Sequence, residues 1–281
     1  MARHQKMTHK RGGASKTKKK SKTVRRDKYA FKEPLYEENK NYNSNKEKFI
    51  PTYNVVDGPA FASVVMNLNQ GQVIVTQRGS MAYMDGHMDT KTTSRGGVWS
   101  GFKRMLFTSS SMFMTQYIGT HVNKNQICFA SFLPGDILPI VVRPSERIII
   151  SPHSLVCFTD NLGIKTKRRV RGVLTDEGIA QTEFINESNN NGMIWLSSYG
   201  GYNKIILKEN EKLKLDNGLF LCSHTSVKYS VGTVGNLKTT LLSGEGLVMN
   251  FTGPCELYAQ GRSVGALERF IAEQFPRNNS Y

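Results

Sequence analysis

The sequence predicts an all-β protein, and three observations carry that prediction. From residue 53 onward, short segments rich in Val, Ile, Leu, Phe and Tyr recur between turns of Gly, Pro, Asn and Asp. Three stretches of the chain can be aligned with one another as one repeated unit. Helical periodicity is nearly absent until the end of the chain, so one short helix is expected there.

The chain begins with a strongly basic arm. Residues 1–28 contain twelve Lys or Arg and one acid, Asp27, so they carry +11 of the formal net charge of +16, and the other 253 residues carry +5. The arm has almost no apolar side chains and cannot bury enough surface to offset the entropy of ordering. We predict that residues 1–50 form a disordered arm and a polar, Asn-rich linker that docks partly on the body.

Two basic runs predict contact with phosphate groups. KTKKKSKTVRR, at 16–26, resembles a nuclear-localisation or nucleic-acid-binding segment, and the alternative is a solvated tail that aids solubility. KTKRRVR, at 165–171, is the densest charge of the body. Neither run is accompanied by an aromatic ladder or an RNA-recognition motif, so binding is expected to be independent of base sequence. The predicted nucleic-acid-binding residues are Lys16, Lys18, Lys19, Lys20, Lys22, Arg25, Arg26, Lys165, Lys167, Arg168, Arg169 and Arg171.

Strand alternation adds a detail to the second run. Because successive side chains of a strand point to opposite faces, Lys165, Lys167 and Arg169 are expected on one side and Arg168 on the other. Together with the arm, this run would form a continuous positive surface.

The body is predicted to contain many short strands and one helix. The strand segments are VVMNL, QVIVTQ, QICFASF, ILPIVV, RIIIS, SLVCFT, GMIWLSS, KIILK, LFLCS, GLVMNF and ELYAQ. The final pattern, SVGALERFIAEQFP, predicts a helix over residues 263–275 that packs on the sheet. Ser263 is its expected N-cap, Val264, Leu267 and Ile271 share one face, and Pro276 ends it.

An internal repeat organises these strands. Residues 66–85 align with residues 140–159 and 205–224, and each segment has a strand end, a polar turn, a second strand, a corner and a third strand. The polar turn closes on Gln or Glu in every segment, at Gln72, Glu146 and Glu211.

Three units of 60–70 residues follow from this alignment, near 64–131, 137–198 and 203–260. Each has about six short strands and would expose a hydrophobic face unless it packs on its neighbours. We predict one β domain over residues 51–275 with the units arranged around a pseudo-threefold axis.

Seven motifs, in order, resemble the family named for altered inheritance of mitochondria. They are GSMAYMDGHMD (79–89), GG (96–97), GFKRMLF (101–107), LPGDILPI (133–140), SSYGG (197–201), LDNGLFL (215–221) and SGEGLVMNFTGP (243–254). The resemblance covers roughly residues 55–270. It implies a fold like that of the tryptophan RNA-binding attenuation protein, with small double-stranded β-helix units about a pseudo-threefold axis. It implies little chemistry, because no activity is established for the family.

The signature residues of the resemblance are interpreted as structural turns. They are Gly79, Ser80, Asp85, Gly86, Gly96, Gly97, Pro134, Gly135, Asp136, Asp216, Asn217, Gly218, Gly244, Glu245 and Gly246. In the first motif, Gly79 and Ser80 are expected to form a corner, residues 81–84 a strand, and Asp85-Gly86 the exit turn.

The sequence does not predict an enzyme or a cofactor. No H-x-H, H-E-x-x-H or phosphate-loop pattern is present. Asp85, His87 and Asp89 are weak candidates for a metal site, because alternation on a strand would put all three on one face. A polar outer face beside a turn is favoured, since the other two units do not repeat the trio.

Cysteine spacing and hydropathy constrain the compartment. Cys128, Cys157, Cys222 and Cys255 are too far apart for a C-x-x-C site and are expected to be small buried residues in a reducing compartment. No apolar run reaches the roughly 18 residues of a membrane span, and no signal segment is evident. We expect an intracellular protein with no membrane span, and the nucleus, a nucleoid and a virion stay open. Residues 1–28 lack the apolar face of a mitochondrial presequence.

The leading functional hypothesis is a non-enzymatic β scaffold whose basic arm binds nucleic acid or another polyanion. The alternative is a structural or assembly protein that binds protein partners or its own copies, with the arm as a targeting signal. NKNYNSNK and NESNNNG suggest an A/T-rich genome, such as that of a large DNA virus or a protist, which would suit a packaged viral protein. An enzyme or metal protein is the third hypothesis.

Overall fold

The fold was derived from a computed structural model that describes most of the body of the chain. The described residues are 41–42, 47–77, 79–93, 114–122, 125–151, 153–172, 175–232 and 247–275. For residues 41–42, 93, 166–172 and 175–180 the description is of the backbone alone.

Strands dominate the described part of the chain, which confirms the all-β fold class. The strands are β1 (Asn41–Tyr42), β2 (Thr52–Val56), β3 (Ser63–Asn67), β4 (Val73–Gln77), β5 (Met81–Met84), β6 (Asp89–Thr93), β7 (Met114–Ile118), β8 (Gln126–Ala130), β9 (Ile137–Val142), β10 (Arg147–Ile150), β11 (Leu155–Thr159), β12 (Leu162–Gly172), β13 (Thr175–Asn186), β14 (Gly192–Ser197), β15 (Tyr202–Leu207), β16 (Lys212–Asp216), β17 (Phe220–His224), β18 (Tyr229–Gly232), β19 (Val248–Thr252) and β20 (Cys255–Gln260). A 3₁₀ turn (Asn217–Leu219) and helix α1 (Val264–Gln274) complete the described elements. All eleven predicted strand segments coincide with observed strands.

The strands form four antiparallel sheets. Sheet I has the order β1-β2-β3-β8-β5, and sheet II has the order β6-β7-β4-β11-β14-β9. Sheet III has the order β12-β13-β10-β17-β20-β15, and sheet IV has the order β16-β19-β18.

One strand order recurs along the chain. The first, last and third strands of each unit are neighbours, as β3-β8-β5, β9-β14-β11 and β15-β20-β17. The second strand of a unit then pairs with the third strand of the next unit, β4 with β11 and β10 with β17. Sheets II and III are therefore each built from two consecutive units. The pseudo-threefold axis itself stays a prediction.

The turn between the first two strands of each unit is closed by a side chain. One carboxyl or amide oxygen accepts a hydrogen bond from the backbone N–H three residues earlier, at 2.7 Å for Gln72, 2.8 Å for Glu146 and 2.7 Å for Glu211. The preceding residue has a left-handed backbone in each turn: Gly71, Ser145 and Asn210, with φ of 83°, 68° and 63°. The recurring Gln or Glu thus satisfies a donor that this tight turn leaves without a ladder partner.

The core contains the largest apolar side chains and all four cysteines. Trp195 on β14 is fully buried, and the Tyr53 ring meets it edge-on with ring centroids 5.2 Å apart. The four cysteines are buried and unpaired, as predicted. Burial raises the pKa of the Cys157 thiol well above its usual range, so this thiol stays protonated.

Helix α1 follows its predicted bounds but not its predicted packing. The Ser263 hydroxyl caps the helix by accepting a hydrogen bond from the Ala266 N–H at 3.3 Å. No residue of α1 is buried, and the helix lies mainly against the 3₁₀ turn, so the expected packing on a sheet is wrong. The reason is the close approach of Ser263 to Gly218, which fixes the start of α1 at that turn.

Part of the predicted linker belongs to the body. β1 pairs with β2, and Ile50 is buried in the core. The linker therefore docks, as expected, at two points. Residues 1–40 and 43–46 lie outside the described residues, and the disorder of the arm stays a prediction.

Asp160, in the turn between β11 and β12, should make stability depend on pH. Burial raises its pKa from 3.8 to about 6, against the opposing influence of a backbone hydrogen bond and of Lys48. The native state therefore holds this proton more tightly than the unfolded state, and stability is lost as pH rises between the two pKa values. We expect Asp160→Asn to raise the free energy of unfolding by about 1–3 kcal/mol at pH ~7 and to have little effect at pH ~3.5.

Urea unfolding at the two pH values measures this difference. Asp89→Asn, at an exposed position, is the matched control and should change stability little at either pH. A D160N protein that is no more stable than the parent at neutral pH would contradict the assignment.

Candidate nucleic-acid interface

The basic run of the body lies on a long hairpin at the edge of sheet III. β12 and β13 have 11 and 12 residues, against 4 in β10, to which β13 also pairs. β10 contacts only residues 182–185 of β13. Beyond that point β12 and β13 pair with each other alone within the described sheet, so the hairpin continues past its neighbouring strand.

The root of the hairpin is anchored in the core. Leu162 and Ile164 are buried, and the Phe184 ring meets Phe158 edge-on with centroids 5.0 Å apart. The Tyr229 hydroxyl on β18 donates a hydrogen bond to Gln181 Oε1 at 2.6 Å. These contacts hold the root of the hairpin, which belongs to sheet III, against sheet II through Phe158 and against sheet IV through Tyr229.

The basic run does not pair with β13 in one continuous register. Lys165 and Lys167 lie opposite Glu183 and Gln181, but the register shifts between Lys167 and Val170 and again before Gly172. A shift of this kind inserts an extra residue and breaks the period of two. The expectation that Arg169 shares a side with Lys165 and Lys167 stays a prediction, because only the backbone of residues 166–172 is described. All five basic residues of the run still lie on one strand, which is the outermost strand of its sheet.

Acidic groups limit the charge of this hairpin. Asp176 and Glu177 lie on the returning strand, and Glu183 is a buried acid nearer the root. Residues 162–186 therefore carry five basic and three acidic side chains, a net of +2. Glu183 is paired with Arg147, with 3.8 Å between Oε1 and Nη1. The densest run of positive charge in the body thus lies on one edge strand, and the net charge of its hairpin is much smaller than that of the arm.

The predicted binding residues of the arm, from Lys16 to Arg26, lie outside the described residues. Whether the arm and the hairpin form one continuous surface stays a prediction.

The acid-histidine-acid trio lies on a turn and not along a strand. Asp85 follows β5, Gly86 and His87 form the turn, and Asp89 begins β6. Asp85 Oδ2 accepts a hydrogen bond from the Gln126 N–H at 2.8 Å, and the His87 ring lies 4.8 Å from that of His121. The predicted shared face is therefore wrong. Across the described ranges, no three His, Cys, Asp or Glu side chains are grouped closely enough to hold a metal ion.

The signature residues that the structure describes are turn and contact residues. Gly79 has a φ of 91° at the corner before β5. Asp216 Oδ1 accepts from the Gly218 N–H at 2.6 Å, and Asp136 Oδ1 accepts from the Ile137 N–H at 2.9 Å. Their interpretation as structural turns agrees with this geometry. Gly96, Gly97, Gly244, Glu245 and Gly246 lie outside the described residues.

A pocket with a mixed polar and apolar lining, between the second and third units, was missed by the sequence reasoning. It has a volume of about 210 Å³ and is lined by residues that include Ser151, His153, Gln181, Tyr199 and Gln260. The Gln181 Nε2 is buried and has no hydrogen-bond partner among the described residues. The lining comes from separate segments of two units, so no local pattern in the sequence could have indicated it.

Comparisons with known proteins agree with this fold. A family model described as Mitochondrial biogenesis AIM24 matches residues 53–262. An uncharacterised protein of Streptococcus pyogenes serotype M6 is 21% identical over 221 residues, which covers 75% of this chain and 87% of that protein. A crystal structure of a Streptococcus pyogenes protein is 18% identical, with a TM-score of 0.65, and the match covers 80% of this chain and 100% of that one. Within the described ranges, no helix is long and apolar enough to span a membrane.

Proposed function

We propose a function for this chain, which belongs to the mitochondrial biogenesis AIM24 family. It is a non-enzymatic β scaffold that binds nucleic acid or another polyanion through its basic arm. The observation that carries the proposal is the net charge of +11 within residues 1–28, whereas the other 253 residues have a net charge of +5. A charge so concentrated suits a segment that follows a phosphate backbone.

The basic edge strand supports the proposal as a second, weaker contact. β12 places five Lys or Arg within seven residues on a hairpin whose root is anchored in the core. A fixed strand can hold a few phosphate contacts in place while the arm supplies most of the charge. No base-reading motif accompanies either segment, so the partner is recognised by its charge and not by its sequence.

The buried thiols and the separated trio support the non-enzymatic part of the proposal. The pKa of Cys157 is raised by burial, which makes its thiol a poor nucleophile. Asp85 is engaged by a backbone N–H at the turn, and Asp89 belongs to the next strand. These groups are therefore better suited to structure than to catalysis.

Deletion of residues 1–28 tests the proposal. We expect the parent chain to bind short single-stranded DNA and RNA with similar affinity, and binding to weaken steeply from ~50 to ~200 mM salt. The deletion should weaken binding at least about 100-fold and flatten the salt dependence, because most phosphate contacts and their released counterions are lost. Fluorescence anisotropy measures both, and circular dichroism checks that the body stays folded.

A pair of charge variants separates the arm from the hairpin. Lys167→Ser with Arg168→Ser should weaken binding by about three- to tenfold, whereas Lys208→Ser with Lys228→Ser removes the same charge elsewhere and should change it less than twofold. Binding by the deleted chain within twofold of the parent would refute the proposal.

A further inference from the structure

Two junctions between units are built with the same register. The first joins β4 to β11, and the second joins β10 to β17. The opposed residues are Thr76 and Cys157, Val75 and Phe158, Ile74 and Thr159 in the first, and Ile150 and Cys222, Ile149 and Ser223, Ile148 and His224 in the second. When residues 66–85, 140–159 and 205–224 are aligned, each pair of the first junction corresponds to a pair of the second.

The third strand of every unit also has the same irregularity. Its pairing with the last strand of the unit shifts register between Met81 and Tyr83, between Leu155 and Cys157, and between Phe220 and Cys222. These positions coincide in the alignment. β5 is therefore shaped like β11 and β17, and all three should present the same outer edge to a partner strand.

Among the described residues, one third strand and one second strand have no partner strand from a neighbouring unit. β5, the third strand of unit one, pairs with β8 alone and ends sheet I. β16, the second strand of unit three, pairs with β19 alone and ends sheet IV. The equivalent strands β11, β17, β4 and β10 each have a neighbour on both sides.

The free edges differ from their equivalents in exposure. Every residue of β11 is buried, whereas Met81, Ala82 and Tyr83 of β5 are exposed, with 50% exposure for Tyr83. An exposed apolar edge strand is a template for pairing with another chain. β16 exposes Lys212 and Lys214, and its Leu213 is half-buried.

A backbone hydrogen bond also joins consecutive units, and it too has no continuation from unit three to unit one. The Ala62 N–H donates to the Gly135 carbonyl at 2.9 Å, and the Asp136 N–H donates to the Gly200 carbonyl at 3.2 Å, so each unit donates to the next. In the alignment, the next donor is Gly201 of unit three, and the first acceptor is Phe61 of unit one. Both residues are exposed, and neither this N–H nor this carbonyl forms a backbone hydrogen bond with another described residue.

We propose that unit three of one copy of this chain docks on unit one of a second copy, with β16 pairing antiparallel to β5 of the partner copy. The two internal junctions fix the register: Tyr83 lies opposite Leu215, Met84 opposite Lys214, and Asp85 opposite Leu213. In the same interface, the Gly201 N–H donates to the carbonyl of Phe61 in the partner copy.

A second copy fits these edges better than an unrelated strand does. Both edge strands belong to the same chain. β5 and β16 are equivalent to the strands that already pair with each other at the two internal junctions. The second contact, from Gly201 to Phe61, runs in the same direction along the order of units. The interface is heterologous, so successive copies form a closed ring or a filament and not a twofold dimer. It replaces the junction between unit three and unit one of the same chain that a pseudo-threefold axis would require.

Sedimentation velocity of the full chain tests the assembly. We expect species larger than the 31.6 kDa chain that dissociate on dilution, and we expect Tyr83→Arg to leave monomers. Ile206→Arg is the matched control, because Ile206 is an exposed apolar residue on β15, an edge strand that the proposed interface does not use. This variant should assemble like the parent. A parent chain that stays monomeric up to ~100 μM, far above the dissociation constants of specific complexes, would overturn the proposal.

Paired cysteines test the register. Met84→Cys with Lys214→Cys places thiols at opposed positions, and oxidation should give a ladder of covalent oligomers on a non-reducing gel. Met84→Cys with Lys212→Cys is offset by two residues and should cross-link at least about fivefold less, because its Cα atoms are farther apart than a disulfide allows. The native cysteines are buried and should stay unreacted. Equal cross-linking of both pairs, or a disulfide within one chain, would overturn the proposal.

Discussion

An alanine at position 135 is expected to lower the free energy of unfolding by about 3 kcal/mol or more. Gly135 lies at the junction of all three units, bridged to Phe61 on one side and to Gly200 on the other. A Cβ atom at this position would overlap the Ser198 carbonyl oxygen and would lie 2.9 Å from the carbonyl oxygen of Gly200. Both obstacles are backbone atoms, which cannot rotate away as a side chain can.

Gly86→Ala is the matched control, because a Cβ at Gly86 would meet no atom within 4 Å. Both glycines belong to the signature motifs, so the pair separates close packing from mere membership of a motif. Urea unfolding should show a large loss for G135A and a change within about 0.5 kcal/mol for G86A. Equal losses would show that the contacts around Gly135 can move apart and would refute the close-packing argument.

The strands and turns could be predicted because their causes are local. Each strand is a short apolar run between turn residues, and each inter-strand turn of the repeat ends in a Gln or Glu that binds its own backbone. Such a turn needs only four residues to be specified. The alignment of residues 66–85 with 140–159 and 205–224 therefore located the equivalent strands without knowledge of the sheets.

Most of what the sequence could not predict depends on contacts between distant segments. The register shifts in β12 depend on its pairing with β13, and strict alternation cannot anticipate them. The metal-site alternative put His87 and Asp89 on one strand with Asp85, whereas the favoured prediction ended the strand at residue 84 with an Asp85-Gly86 turn, as the structure does. Helix α1 was expected on a sheet, but Ser263 meets the 3₁₀ turn at Gly218, more than forty residues earlier in the chain.

The free edge of β5 shows a further limit of sequence reasoning. MAYM is as apolar as LVCF and FLC, so the sequence gives β5 the pattern of an interior strand. Only the sheet order shows that β11 and β17 receive a partner from the preceding unit, whereas no unit precedes β5 in the described chain. An interior pattern on an edge strand is what a strand completed by another copy would have.

Removing the indole of Trp195 is expected to cost about 3–5 kcal/mol of unfolding free energy. Trp195 is fully buried on β14, between Cys157 of β11 and Pro139 of β9. The planes of the Tyr53 and Trp195 rings meet at 90° in a T-shaped contact. Trp195→Ala would leave a cavity in the core beside β14 and would remove a ring contact between β2 and this core.

Trp195→Phe separates the packing contribution from hydrogen bonding. The Trp195 Nε1 is buried and has no hydrogen-bond partner among the described residues, so phenylalanine removes no hydrogen bond and should relieve an unpaired donor. We therefore expect W195F to cost only about 1–2 kcal/mol, from the smaller ring alone. Urea unfolding followed by circular dichroism measures both variants without relying on the indole fluorescence. A W195F protein as unstable as W195A would mean that the indole N–H contributes a hydrogen bond to the core, and that packing alone does not account for the role of Trp195.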